Sequence, residues 1–281
     1  MNRVQKVSMV IDYIESNLNQ KADLDTIAEA VHYSKFYLHR VFSETLGMTI
    51  HEYQQRRRLT EAAKLLVFSR QSILDIALSS GYGSQQSFTA MFTAMYKQSP
   101  NQYRANEKFY PLQLRFTLEG SYGMLHATES GEWRIEPAAR EDIPSWMRLV
   151  RLVIDGFPNL QEAEHIRVLE RNIDAGQALI LKDGETAVGI LLFSRQSGSI
   201  DFMGTHPLYR NRGIPQAFLT YVMGELVQGK RISITTYREN DKADTGQRRE
   251  IMALGFAEAE LLVEFGYPTQ RFVLPEERSH G

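Results

Sequence analysis

The strongest constraint in this sequence is that its first hundred residues repeat themselves. Ile27-Ala28 recurs as Ile76-Ala77, and Tyr33 as Tyr82, each 49 residues on. After Gly83 the offset becomes 50: Ser34 recurs as Ser84, Phe42 as Phe92, and Thr49 as Ser99. Gly83 therefore reads as a one-residue insertion in the second copy. Two copies are too few for a solenoid, whose units stack at least three deep. Each copy is a short helix, a turn and a longer helix, the layout of a helix-turn-helix.

Apolar spacing supports helices throughout this region. Val4, Val7, Val10, Ile11, Ile14 and Leu18 fall at three- and four-residue intervals, one face of an opening helix. Asp23 reads as the N-cap of a short helix from about Leu24 to Val31, and Ser34 as the cap of the next. Gly47 closes that helix, and a longer one from about Thr49 to Phe68 joins the two copies. A single proline, Pro100, precedes position 111, as a compact helical domain requires.

The longer helix of each copy has two faces. In the first, Leu38, Val41, Phe42 and Leu46 form the core stripe, and Phe36, His39, Arg40 and Ser43 the opposite one, with Lys35 beside its start. In the second, Phe88, Met91, Phe92 and Met95 face Gln86, Thr89, Ala90 and Thr93, with Gln85 at the edge. Any surface helix has a polar outer face. Two equivalent faces on a duplicated helix-turn-helix, one headed by an outward Phe36, fit a reader of base edges better. Arg donates two hydrogen bonds to guanine, and Gln pairs with adenine. Phosphate contacts are expected from Lys35, the Arg56-Arg57-Arg58 run and Arg104. Such contacts fix register without reading sequence.

Residues 5–104 resemble the DNA-binding domain of the AraC/XylS family of bacterial transcriptional regulators. The likeness is to its multiple-antibiotic-resistance and superoxide-response subgroup. It is carried by Tyr33-Ser34-Lys35-Phe36-Tyr37-Leu38-His39-Arg40-Val41-Phe42, Ile73-Leu74-Asp75-Ile76-Ala77, Ser84-Gln85-Gln86-Ser87-Phe88-Thr89 and Gln98-Ser99-Pro100-Asn101-Gln102-Tyr103-Arg104. The resemblance implies two recognition helices entering successive segments of the major groove of double-stranded DNA, and a partnership with RNA polymerase. It carries base contact over to Phe36, His39, Arg40, Gln85 and Gln86. Thr89, on the same face of the second helix, joins the DNA-binding set. The chain departs from the subgroup in three places. Phe36 stands where a Trp is usual, His39 where a Gln is usual, and Ala90 where a basic residue is usual. The second helix is therefore expected to read its half-site less strongly than the first.

After residue 105 the texture changes. Gly120, Gly123, Gly131 and Pro111 accompany an alternating run, Leu112-Gln113-Leu114-Arg115-Phe116, which reads as a linker with some strand. From Trp133 the pattern is α/β. Strands are expected at Trp133–Glu136, Gln177–Lys182, Thr186–Arg195, Ile200–Thr205 and Arg231–Tyr237, with two more near the end. Helices are expected at Asp142–Phe157, Asn159–Ala175, Ile214–Val227 and Gln247–Leu254. At 281 residues the chain has room for two domains. The expected organisation is an all-α double helix-turn-helix domain over 1–107, a linker over 108–131, and an α/β (α+β) domain with a central mixed sheet over 132–276.

Residues 132–274 resemble a GNAT (GCN-five-related N-acetyltransferase) domain. The opening Trp133-Arg134-Ile135-Glu136-Pro137-Ala138 leads to Glu141-Asp142-Ile143. Arg210–Pro215 falls where the family has R/Q-x-x-G-x-G/A, and Leu254-Gly255-Phe256 where it has L-G-F. The resemblance implies acetyl-CoA as cofactor, with Thr205, Arg210, Asn211, Arg212, Gly213 and Ile214 around its pyrophosphate. Independently of family, backbone N–H groups at a helix start form an anion cradle. Three departures bear on activity. Pro215 has no N–H to offer. Ile251 stands where many members place a Tyr that protonates the leaving thiolate. Asp201 is the only carboxylate on the Ile200–Thr205 strand. No catalytic residues are assigned.

Other features narrow the class. The sequence holds no cysteine, so disulfides, thiolate metal sites and a Cys nucleophile are excluded. The seven histidines are scattered without an H-x-x-x-H pair, so no metal site is expected. No apolar stretch spans a membrane and no signal-peptide core opens the chain, so a cytoplasmic location is expected. Residues 1–108 hold 13 Lys and Arg against 10 Asp and Glu, and the remainder 19 against 24. The mildly basic and acidic halves suit different partners. Three readings stay open for the second domain: a sensor of a small-molecule effector such as acetyl-CoA, an active N-acetyltransferase on a small amine, or a degenerate interaction or dimerisation module.

Overall fold

The computed structural model describes residues 2–20, 23–118, 134–153, 162–210, 212–225 and 230–275. They divide into two compact units, residues 2–118 and 134–275. Trp133, Asn211, the three glycines of the expected linker and the last residues of two expected helices lie outside the described residues.

The first unit is built from seven described helices: α1 (Arg3–Ser16), α2 (Leu24–Ala30), α3 (Lys35–Leu46), α4 (Ile50–Phe68), α5 (Ile73–Ser79), α6 (Gln85–Tyr96) and α7 (Pro100–Asn106). The repeat is visible in the backbone. α2 and α5 are offset by 49 residues and α3 and α6 by 50, so the insertion falls at Gly83. Both long helices end on a left-handed residue, Gly47 at φ 72° and Lys97 at φ 58°. The helix after each opens on a capping box, Thr49 with Glu52 and Ser99 with Gln102. Helix α4 packs against α3, α5 and α7.

Residues 110–118 belong to this unit and form no strand. Tyr110, Leu112, Phe116 and Leu118 are buried, and Phe116 stacks on Tyr53 of α4 with ring centres 5.4 Å apart. A buried extended segment must satisfy its own backbone. The Thr60 hydroxyl accepts the N–H groups of both Leu112 and Gln113, at 3.1 Å each. The alternating apolar pattern thus marks an extended strap whose polar groups are met by α4 side chains instead of a neighbouring strand.

The second unit holds strands β1 (Ile135–Pro137), β2 (Ala178–Asp183), β3 (Thr186–Phe193), β4 (Ser199–Thr205), β5 (Ser233–Tyr237), β6 (Ala257–Glu264) and β7 (Tyr267–Val273). The sheet order is β1-β2-β3-β4-β5-β7-β6, and β4–β5 is the parallel pair. Its helices are α8 (Ile143–Val153), α9 (Glu162–Asp174), α10 (Ile214–Glu225) and α11 (Gln247–Ala253). Two glycines report the layering. A Cβ on Gly189 would lie 2.8 Å from Ile214 and from Phe218 of α10. A Cβ on Gly204, which faces the other way, would lie 3.0 Å from Val153 of α8. Helix α9 joins α8, where the Trp146 indole donates to His165 Nε2 at 3.2 Å and His165 meets Phe202. Ile251 of α11 packs with Phe218 on the α10 side.

Twice the repeat sets a non-glycine in a left-handed position that its other copy gives to glycine: Lys97 against Gly47, and His32 against Gly81. The turn before α3 passes through His32 at φ 57°, and the matching turn before α6 through Gly81 at φ 80°. Only glycine holds that conformation without Cβ strain. His32→Gly is expected to stabilise the helical unit by about 0.5–1 kcal/mol, the relieved strain less the added chain entropy. The check is the denaturant midpoint followed by far-UV circular dichroism, which the helices dominate.

Candidate functional site

Helix α3 starts on the Ser34 side chain, which accepts the Tyr37 N–H, and this cap fixes where its first turn points. Leu38, Val41, Phe42 and Leu46 go inward. Phe36, His39 and Arg40 go outward, with Phe36 80% exposed, and Ser43 is half-buried at the margin. The Lys35 ammonium stands 5.8 Å from the Phe36 ring centre and 2.9 Å from the Asp25 carboxylate of α2.

Helix α6 copies this arrangement. Ser84 caps it, Phe88, Phe92 and Met95 are buried, and Gln85, Gln86, Ala90 and Thr93 are exposed, with Thr89 half-buried. The structure therefore sets two capped helices of equal length in equivalent settings, each offering the N-terminal part of its outer face. A recognition helix reads base edges with that part. The first face carries a cation and an aromatic ring; the second carries amides and hydroxyls.

The expected phosphate contacts need correction. Arg56 and Arg57 are 1% and 7% exposed, and neither can reach a phosphate. Three consecutive residues of a helix point about 100° apart, and each arginine of the run meets a different partner. Arg56 donates to the Leu112 carbonyl at 3.0 Å. Arg57 donates to both Glu15 oxygens of α1, at 2.8 and 2.9 Å, to Glu61, and to the Gln113 carbonyl. Arg58 donates to the Leu18 carbonyl at 2.8 Å. Desolvation opposes the Arg57 charge, but Glu15 more than offsets it and holds the guanidinium above its ordinary pKa. Arg104 is half-buried and donates to the Leu66 and Gln71 carbonyls at the end of α4. Its expected phosphate role gives way to tying down the turn between the copies. Lys35 is the member of the set that stays at the surface, 44% exposed.

In the second unit, β4 and β5 pair only at Ser199–Ser233 and Ile200–Ile234. Beyond these the two parallel strands make no further pairs. In open α/β sheets, ligands bind outside the carboxyl ends of the strands. Thr205 ends β4, a 3-10 turn at Pro207–Tyr209 follows, and Arg210, Arg212 and Gly213 lead into α10. Gly213 has φ 74°, with nothing within 4 Å of a Cβ placed on it. Its loop is open on that side, and the glycine answers a backbone need. Ile214 and Pro215 are buried. The Arg212 guanidinium lies over the Tyr209 ring at 5.3 Å. His206 is buried, its Nδ1 accepts the Leu208 N–H, and burial with nearby Arg210 pushes its pKa down to about 4. Glu250 of α11 is raised by desolvation, with the charge of Arg210 opposing.

The acid–base candidates fare poorly. Ile251 is 3% exposed in the core, where it can move no proton. Asp201 is the extra residue of a bulge where β4 pairs with β3; it is exposed and accepts the Ser199 hydroxyl at 2.6 Å.

Comparison with known proteins bears on the helical unit. Residues 27–106 match the helix-turn-helix domain family. The HTH-type transcriptional activator AarP of Providencia stuartii is 41% identical over 104 residues, 37% of this chain and 77% of that protein. The regulatory protein SoxS of Salmonella typhimurium is 36% identical over 104 residues, 37% of this chain and 97% of that protein. The chain belongs to the AraC-type helix-turn-helix family of transcriptional regulators. An acetyltransferase of the GNAT family from Bacillus cereus ATCC 10987 aligns with 52% of this chain and 99% of its own, at 18% identity and a TM-score of 0.41, too low to identify the second unit. Within the AraC-type unit, buried Arg57 holds α1 to α4 through Glu15. Arg57→Ala leaves Glu15 buried and uncompensated, and is expected to lower stability by about 3–5 kcal/mol. A urea midpoint shifted in the absence of DNA is the readout; an unchanged midpoint would show that the Arg57–Glu15 pair does not hold the unit together.

Proposed function

We propose that this AraC-type regulator binds DNA sequence-specifically through α3 and α6, and that its second unit senses a small ligand which biases that binding. The pair of equivalent, capped, outward faces carries the first half. Relatives named as a transcriptional activator and a regulatory protein support it. Phe36, His39 and Arg40 read one half-site, and Gln85, Gln86 and Thr89 the other, with Lys35 on phosphate. Contact with RNA polymerase is part of the proposal by family alone. Among the described residues no helix is long and apolar enough to cross a membrane.

For the second half, the ligand with the best chemical fit is acetyl-CoA, in keeping with the sequence resemblance to GNAT domains. Its pyrophosphate would meet the backbone N–H groups at Gly213 and Ile214 and the charges of Arg210 and Arg212 at the carboxyl end of β4. Thr205 would flank it. The missing N–H of Pro215 weakens the cradle by one donor. A ligand can shift DNA binding only by its differential affinity for two states of the protein. The transferase reading has less support, since Ile251 and Asp201 offer no acid–base pair. The interaction-module reading has one observation in its favour: the edge strand β6 and its turn expose Leu261, Val263 and Phe265.

Two measurements test these halves. Arg40→Ala is expected to weaken specific binding by about 1–3 kcal/mol and relax the preference at one base pair. Equal losses on every sequence would remove Arg40 from the reading face. Titration calorimetry with acetyl-CoA is expected to show one site, and a concentration 100 times Kd should stabilise the protein by about 2.7 kcal/mol. No heat at millimolar nucleotide, together with a concentration-dependent oligomer, would move the second unit to the interaction reading.

A further inference from the structure

The Asp25–Lys35 pair spans the first helix-turn-helix, from the first turn of α2 to the first residue of α3. It joins a residue expected on phosphate to a carboxylate that phosphate repels. We propose that Asp25 sets the DNA affinity of the first reading helix by holding Lys35 away from phosphate in the free protein. The inference rests on the DNA-binding reading above.

Three observations carry it. The ammonium lies 2.9 Å from Asp25, with side chains 44% and 63% exposed, so the pair stands on the surface beside Phe36 at the head of the reading face. The pair is also dispensable for the turn. At the matching positions of the second copy stand Leu74 and Gln85, and neither is charged. Yet that copy closes with the same backbone bond, Tyr82 N–H to the Ala77 carbonyl at 3.0 Å, as Tyr33 N–H to Ala28 at 3.0 Å. Exposed pairs add little to stability, so the charges are free to serve binding. Finally, the first helix of a helix-turn-helix crosses the DNA backbone, which brings Asp25 itself toward phosphate. Lys35 must exchange one anion for another, and the released carboxylate then faces the polyanion. The first copy thus carries a cation and its restraint together, and the second carries neither.

The experiment uses the full chain and a duplex selected with it from a random pool. Binding by fluorescence anisotropy is followed from about 50 to 200 mM salt, the range over which phosphate contacts change affinity most visibly. The variants are Asp25→Asn, Lys35→Gln, the double variant, and Glu29→Gln. Glu29 is an exposed acid one turn further along α2. Asp25→Leu copies the residue the second repeat already folds with, and guards against a local effect of the amide. Asp25→Asn and Asp25→Leu are expected to tighten binding about three- to tenfold at low salt, a gain that shrinks as salt screens the released carboxylate. In the Lys35→Gln background the gain should fall below about twofold. An equal gain in both backgrounds, matched by Glu29→Gln, makes Asp25 a diffuse charge and overturns the proposal, as does an absent gain. If the selection enriches no duplex at all, the DNA-binding reading beneath it fails as well.

Discussion

One buried ion pair organises the helical unit. Arg57 and Glu15 are each less than a tenth exposed, and their bidentate contact pins α1 to the middle of α4. Two charges out of water are a poor source of net stability. Their value is geometric, because neither can leave without stranding the other. Arg56 and Arg58 extend the pattern around α4, one to the strap and one to the end of α1. The Tyr53 hydroxyl also donates to Glu15, and burial with that carboxylate pushes its pKa up. Helix α4 is therefore a polar hub of the helical unit: α3 packs against it directly, and α6 packs against α5 and α7, which do.

Around that hub one backbone plan is used twice with different surfaces. Caps, turn bonds and helix lengths are shared between α2–α3 and α5–α6. The outward residues are not: the first copy shows an aromatic ring, a histidine and charges of both signs, the second amides, hydroxyls and two exposed leucines on α5, Leu74 and Leu78. Under the proposed function, salt would act on the first face through its charges and hydrogen-bond geometry would govern the second, and such unequal halves would give the protein a defined direction on its site.

Much of this was legible in the sequence, for identifiable reasons. Helices announced by apolar spacing and a Ser, Thr or Asp cap lie where those residues put them, and Gly83 marked the change of offset. The Arg56-Arg57-Arg58 run was misleading because three charges in a row suggest solvent. The partner that buries the middle one, Glu15, sits 42 residues away, and no local pattern joins them. The alternating run Leu112 to Phe116 reads as part of a linker with some strand, but no strand forms: Gln113 is buried beside Leu112, and α4 side chains meet their backbone groups. In the second unit, the strand order and the short β4–β5 ladder depend on pairings between distant segments. The loop from Arg210 to Gly213 could be located from its residues; the early end of the β4–β5 pairing before it could not.

The strap over 110–118 has a consequence for where this unit can be said to end. The last helix stops at Asn106, yet the tyrosines beneath, Tyr96 and Tyr103, are covered by Tyr110, and the Tyr103 hydroxyl bonds its backbone. A fragment trimmed at residue 107 would uncover an aromatic cluster, bare the Thr60 hydroxyl and leave Arg56 and Arg57 short of carbonyl acceptors. The helical unit is completed by backbone groups beyond its last helix, at Tyr110, Leu112 and Gln113, and not by the helices alone.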